Sequence, residues 1–211
     1  MPRSIASLSR GRAGRLPLIG GRLCLDFVNT SSGRGTPTHQ DHLGAYNDLL
    51  AWSHHAGAME AKTALALAGL AGRKPVAARH ALAKSVKLRE ALFAILTALA
   101  RGLPPPAAAL ASLNESLARS HQAARLEPKD GGFSWAWPMR PPRLDLPLWM
   151  IARSAAEMLT DGPLDRLKTC AGEACGWVFL DATRNGRRRW CEMEVCGSRA
   201  KMRRFRRRLA A

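Results

Sequence analysis

The sequence predicts a mainly α fold with a small β element (α+β): a helical N-terminal domain followed by a small four-cysteine module. Three observations predict it. Apolar residues recur at helical spacing over most of the stretch between Thr38 and Thr160. An Asp130-Gly131-Gly132 turn is followed by alternating aromatic residues. Four cysteines near the end, Cys170, Cys175, Cys191 and Cys196, are spaced C-x4-C-x15-C-x4-C.

Residues 1–16 are rich in Arg, Gly and Ser and are expected to form a flexible basic arm. From Leu18 to Asn29 the pattern is β-like. Leu23, Leu25 and Phe27 alternate with Cys24, Asp26 and Val28 after the Gly20-Gly21 pair. Cys24 lies far from the other four and suits a small buried core position. A helix is expected over Thr38–Ala56, capped by Thr38 or Asp41, and a second over Met59–Ala71. Pro75 opens a long third helix to about Arg101, because proline is well placed in a first turn. Gly102 ends it, Pro104-Pro105-Pro106 stiffens the connection, and Ala107–Ala123 forms the next helix. Ala124–Pro128 and Phe133–Pro138 read as a hairpin whose Phe133, Trp135 and Trp137 share one face. A core role for that face competes with a ligand-stacking one. Pro147 opens the last helix of this domain, and Asp161-Gly162-Pro163 marks its boundary, so that the helical domain covers 17–161 and the cysteine module 164–211.

The formal net charge is +17 and it is uneven. Residues 164–211 carry a net +8 and residues 1–36 a net +5, leaving +4 for everything between. The centre is an ordinary globular composition and the ends are the charged parts. No apolar run is long enough to span a bilayer. No Walker loop, nucleophile elbow or dinucleotide glycine pattern is present, so nothing points to an enzyme.

Two cysteine pairs in a segment too short to bury its own core suit a tetrahedral four-thiolate zinc site. Two disulfides would also fit the pairing, but the N-terminus has no apolar core typical of a secretion signal, and the cytoplasm is the expected compartment. With four protein ligands no coordination position stays open, so the Zn2+ would be structural. Between the pairs, Trp177–Leu180 reads as a strand that turns at Asn185-Gly186 and returns through Arg188–Trp190, with Trp177 and Trp190 covering the metal. After Cys196 a short basic helix follows. Met202, Phe205 and Leu209 would pack on the finger. Arg187, Arg188, Arg189, Arg199, Lys201, Arg203, Arg204, Arg206 and Arg207 are the candidate nucleic-acid contacts, since phosphates relieve the repulsion of so dense a charge.

The run CAGEACGWVFLDATRNGRRRWCEMEVCGSRAKMRRFRRR resembles the CGNR zinc finger. Its tetrad here is Cys196-Gly197-Ser198-Arg199, with serine in place of asparagine. Upstream, LCLDFVNT, GFSWAWP and PLWMIARSAAEML are similar to the ABATE domain, a family assigned to stress-induced transcription regulation. The resemblance implies a DNA-binding regulator at the nucleoid, with the N-terminal domain for sensing or association. RNA binding through the same finger, or an enzyme sited in the N-terminal domain, are the alternative readings. Asp26, Asn29, Trp135, Trp149 and Arg153 are the candidate lining of a small-molecule effector pocket, with a buried Asp26–Arg153 ion pair as the competing arrangement. One finger offers few base contacts, so a homodimer or a second contact from the basic arm would be needed for specificity.

Overall fold

The structure, a computed structural model, describes residues 4–9 and 11–209. The helices in chain order are α1 (Leu23–Val28), α2 (Tyr46–His55), α3 (Ala61–Arg73), α4 (Pro75–Leu99), α5 (Ala107–Ala123), α6 (Leu146–Asp161) and α7 (Ser198–Leu209). Three antiparallel strand pairs accompany them: β1 (Ser31–Ser32) with β2 (Gln40–Asp41), β3 (Arg125–Lys129) with β4 (Gly132–Ala136), and β5 (Leu167–Thr169) with β6 (Val178–Leu180). The mainly α fold with small β elements is what the sequence predicts.

Helix α4 is the central element. Pro75 occupies its first turn, where a missing N–H costs nothing. Ala78, Ala81, Ser85, Leu88, Leu92 and Ile95 recur every three or four residues and form its buried face. That face meets α1, α2, α3, α5, α6 and also β5 and β6. Each fully buried leucine or isoleucine there contributes roughly 1.5–3 kcal/mol. The ends of α4, α5 and α6 fall within two residues of the expected ones, because Pro and Gly punctuate them.

The N-terminal region departs from expectation. Residues 13–15 form a 3-10 turn lying on α2, with Leu8, Ala13 and Leu16 buried. Among the described residues, three apolar side chains and a His55–Leu16 carbonyl hydrogen bond of 2.8 Å hold this part of the expected arm against the helices; residues 1–3 and 10 of that arm lie outside the described residues. The β-like stretch is instead helical over α1. Leu25, Phe27, Cys24 and Val28 are all buried and Asp26 is partly so, so the segment has no exposed face, and alternation carries no information there. Gly20 is required just before it. A Cβ at Gly20 would stand 2.7 Å from the Leu25 Cβ and 2.9 Å from the Asp26 nitrogen. The first long helix begins only at Tyr46, where the Asp48 carboxylate accepts the Ala45 N–H at 2.8 Å. Asp41, expected as a cap, lies in β2. The hairpin β3–β4 forms in register around Asp130-Gly131, both at positive φ. Its face is no core face: Phe133 is 75% exposed and Trp135 39%. Only Trp137 of that stripe packs against the core.

The strand pair beyond Asp161-Gly162-Pro163 has no wholly separate apolar core of its own. Its Leu167 and Val178 belong to the same apolar core as α1, α4 and α6. The Asn29 side chain clasps the Val178 backbone, with Nδ2 donating to the carbonyl and Oδ1 accepting the N–H, both at 2.9 Å and buried. The Gly33 N–H donates to the Cys175 carbonyl at 3.0 Å, and the Leu180 N–H to the Gly20 carbonyl at 3.0 Å. The strand pair of the finger is thus docked on the helical domain rather than hung from it.

The loop that carries Asn29 and Gly33 is itself anchored by a buried charge. Arg89, 2% exposed, meets both Asp41 oxygens at 2.8 and 2.6 Å and reaches Glu90 at 2.8 Å. Arg34 pairs with Glu90 at 3.0 Å, donates to the Ser31 and Val28 carbonyls, and lies 4.2 Å over the Phe93 ring.

Asn29→Ala would leave a buried N–H and a buried carbonyl of Val178 without partners, a cost of about 2–4 kcal/mol. Thermal unfolding should then shift down by roughly 5–15 °C as a single transition. A helical transition that stays in place while only the finger loosens would show the two parts to be independent.

Candidate metal centre and basic helix

The strand pair β5–β6 builds the first half of the centre. Cys170 follows β5 and Cys175 precedes β6, so the Cys170–Trp177 stretch is the turn between the two strands. The Cys170 N–H donates to the Trp177 carbonyl at 2.7 Å, closing it. The hairpin therefore pairs Trp177–Leu180 with the chain before the first cysteine. The sequence reading paired it with Arg188–Trp190 instead. The apolar residues decide between them: Leu167 and Val178 face the shared core, whereas residues 181–190 are mostly exposed.

Asp181 holds that loop. Its enclosed carboxylate accepts the Thr183 hydroxyl, lies 3.0 Å from Lys168 Nζ, and accepts the backbone N–H groups of Thr183 and Arg188. These donors, the Thr183 hydroxyl first, hold it well below the usual carboxylate range. Arg188 completes the return to Cys191. Its guanidinium donates to the Trp190 and Cys191 carbonyls and lies 4.4 Å over the Phe179 ring. Arg188, a candidate nucleic-acid contact in the sequence, is engaged in closing the knuckle.

The second half comes from a π-helical turn over Met193–Gly197 that carries Cys196. A Cβ at Gly197 would lie 2.4 Å from Met193 Sδ and 3.1 Å from Trp190 Cδ1, so the exposed Met193 side chain would have to move aside. The Ser198 hydroxyl, at the start of the next helix, donates to the Met193 carbonyl at 3.4 Å.

The four sulfurs converge to within 4.8 Å of one another. Cys175 and Cys191 are 3.6 Å apart and Cys191 and Cys196 3.5 Å. A tetrahedron with Zn–S bonds of about 2.3 Å has edges of roughly 3.8 Å, so the donor set fits one zinc ion. The N–H groups of Gly172 and Cys191 donate to Cys170 Sγ at 3.4 and 3.3 Å, which favours the thiolate that a metal requires. Phe179, Trp177, Trp190 and Ile19 pack around the sulfurs. Cys24 takes no part. It is buried elsewhere, and burial pushes its thiol up to about 11.

Helix α7 leaves the centre with no buried residue. Arg199, Lys201, Arg204, Arg206, Arg207 and Arg208 are exposed, and Arg203 is partly covered. Glu173 of the first knuckle lies 3.3 Å from Arg203 and 3.8 Å from Arg207. Arg199, Lys201, Arg204 and Arg206 have no acidic partner among the described residues. Met202, Phe205 and Leu209 do not pack on the finger; they are 53, 57 and 73% exposed.

Of the five effector-pocket candidates, only Arg153 and Trp135 meet. Asn29 is occupied with Val178. Arg153 pairs with Glu157 at 2.7 Å and lies 4.6 Å over the Trp135 ring, and Trp149 is covered by Arg143 at 5.8 Å. Asp26 makes no ion pair with Arg153. Its carboxylate accepts the Gly20 N–H at 2.7 Å, and burial raises it to about 6. Of the residues that anchor the loop beneath the finger, Arg89 and Gly33 were not singled out by sequence reasoning, and Asp41 only as a helix cap. The one available signal was an arginine on the apolar face of a predicted helix.

Two outcomes follow for this centre. Metal analysis of the purified chain should find one zinc, and Cys191→Ser should lose it; a folded, metal-free protein with two disulfides would contradict the site. Asp26→Asn removes a buried charge while keeping the acceptor for Gly20. Because the folded-state value lies above the ordinary one of about 3.9, wild type gains stability from this group at low pH and loses it as pH rises through 6. The variant should match wild type near pH 4 and be more stable by roughly 1–3 kcal/mol above pH 7. Equal pH profiles in chemical denaturation would refute the assignment.

The comparisons agree with this architecture. A family model described as ABATE, "Putative stress-induced transcription regulator", matches residues 21–162. A CGNR zinc finger model matches residues 166–209, spanning all four cysteines and α7. No curated protein matches the chain. The chain belongs to the ABATE family and carries a C-terminal CGNR zinc finger.

Proposed function

We propose that this chain is a DNA-binding transcription regulator of the cytoplasm, and that α7 is the element that meets the duplex. The observation that carries this reading is a helix held at its first turn by a four-thiolate centre, with all its cations but Arg203 exposed. An isolated helix with so many like charges is self-repelling. Zinc clamping keeps it formed, and phosphates would neutralise it. The exposed Met202 and Phe205 add apolar surface to the same element, of the kind that contacts thymine methyls and sugars. Arg199, in the first turn, is positioned as N-terminal residues of recognition helices are, and is the candidate for base readout. Glu173 holds Arg203 and Arg207 in exposed pairs, which are individually weak and easily exchanged for phosphate.

With about six phosphates neutralised, log K should fall against log[salt] with a slope of roughly −5. Arg204→Ala should shallow the slope by about one and weaken binding similarly on all sequences. Arg199→Ala should cost roughly 1–3 kcal/mol on a selected site and less on random DNA. Glu173→Gln should act oppositely, tightening binding by freeing two arginines. Fluorescence anisotropy with duplex DNA, and in parallel with duplex RNA, measures all four. A flat salt response would refute the reading, and stronger binding to RNA would reassign the partner.

A further inference from the structure

We propose that the helical domain itself contributes to the nucleic-acid interface, through a phosphate-binding cleft at its junction with the zinc finger. This rests on the nucleic-acid reading above and extends it beyond α7. A cleft of about 480 Å3 opens between the end of α4 and the finger, lined among others by Arg101, Asp165, Lys168, Arg188 and Arg189. Arg101 follows the last turn of α4 and belongs to the helical domain; the others lie beyond the boundary glycine-proline pair.

The charges are unequal. Four cations line the cleft against one carboxylate, and that carboxylate, Asp165, is 3.4 Å from Arg166. Lys168 is occupied with the buried Asp181, and Arg188 with the carbonyls of Trp190 and Cys191. Arg101 and Arg189 remain. Both are exposed, and neither has an acidic partner among the described residues. Arg189 stacks 5.4 Å from the Trp190 ring, which steadies it without neutralising it. A concave site with surplus cations and low-dielectric walls focuses potential onto an anion. An arginine pair there suits a phosphodiester, whose oxygens accept from planar guanidinium groups.

The docking of the finger makes this more than two neighbouring surface charges. Asn29, Gly33 and Gly20 hydrogen-bond the finger to the helical domain on β6 and the first knuckle. Arg101 and Arg189 are therefore presented in one fixed arrangement, although they come from different domains. The nucleic-acid footprint then spans the junction, which supplies the second contact that a single finger lacks. It also means that any displacement of the helical domain against the finger alters the phosphate site.

The test uses the full zinc-loaded chain and a labelled DNA duplex, with Arg101→Glu, Arg101→Gln and a control, Arg79→Glu. Arg79 is exposed on the same helix, roughly 30 Å away along its axis. Arg101→Glu should raise Kd by about tenfold or more at low salt, and Arg101→Gln should shallow the salt slope by about one. Arg79→Glu should change Kd by less than about threefold, the effect of net charge alone. Zinc content and melting temperature should match wild type in all three, since neither arginine has a partner to lose. Equal effects of Arg101→Glu and Arg79→Glu, or no effect of either, would overturn the cleft while leaving α7 as the DNA-binding element. A wild-type chain that binds no duplex would overturn both readings.

Discussion

A charge buried in the helical core organises the rest of this molecule. Arg89 is carried inward on α4, and a guanidinium in such surroundings must be paired and hydrogen-bonded or it costs several kcal/mol. Asp41 supplies the pair from β2, with Glu90 and Thr30 completing the set. The requirement is local, but its consequence is not. Satisfying Arg89 draws the chain between Thr30 and Asp41 onto α4. That places Asn29 and Gly33 where they can hold Val178 and Cys175. The electrostatics of one arginine thus help to place the metal centre on the helices, together with the apolar packing of Leu167 and Val178.

The finger is correspondingly asymmetric. Its first knuckle grows out of a strand pair sharing the core of the helical domain, through Leu167 and Val178. Its second knuckle and α7 touch little beyond the sulfurs, and Met202, Phe205 and Leu209 are left exposed. One half is rigidly referenced to the helices and the other projects from the metal. A conformational change at α1 or α4 would reach the first knuckle through two side-chain and two backbone hydrogen bonds, without needing a flexible linker. Coupling of this kind requires that the helical domain have two states with different finger positions.

Much of the chemistry was legible in the residues. Cys170, Cys175, Cys191 and Cys196 could be grouped by spacing because thiolate ligation imposes short, paired separations that do not depend on the remainder of the chain. Helices α4, α5 and α6 were legible because their buried faces repeat at the helical period and Pro or Gly ends them. The stretch Leu23–Val28 was misread because a segment buried on all sides has no polar face to reveal its period. The aromatic face of β4 was misread in the opposite sense: alternation shows that Phe133 and Trp135 share a side, not whether anything covers it. Asn29 was recognisable as notable but not as a backbone clasp, since its partner lies 149 residues away.

By itself, then, the sequence determined the helical class, the ligand set of the metal centre and the placement of charge at the two ends. Each of these follows from local periodicity, local spacing or composition. The tertiary structure alone decided that the finger shares a core with the helices, that Arg188 is spent on closing a knuckle, and that Arg101 and Arg189 line one cleft. Those depend on which distant groups meet once burial forces every charge and every backbone polar group to find a partner.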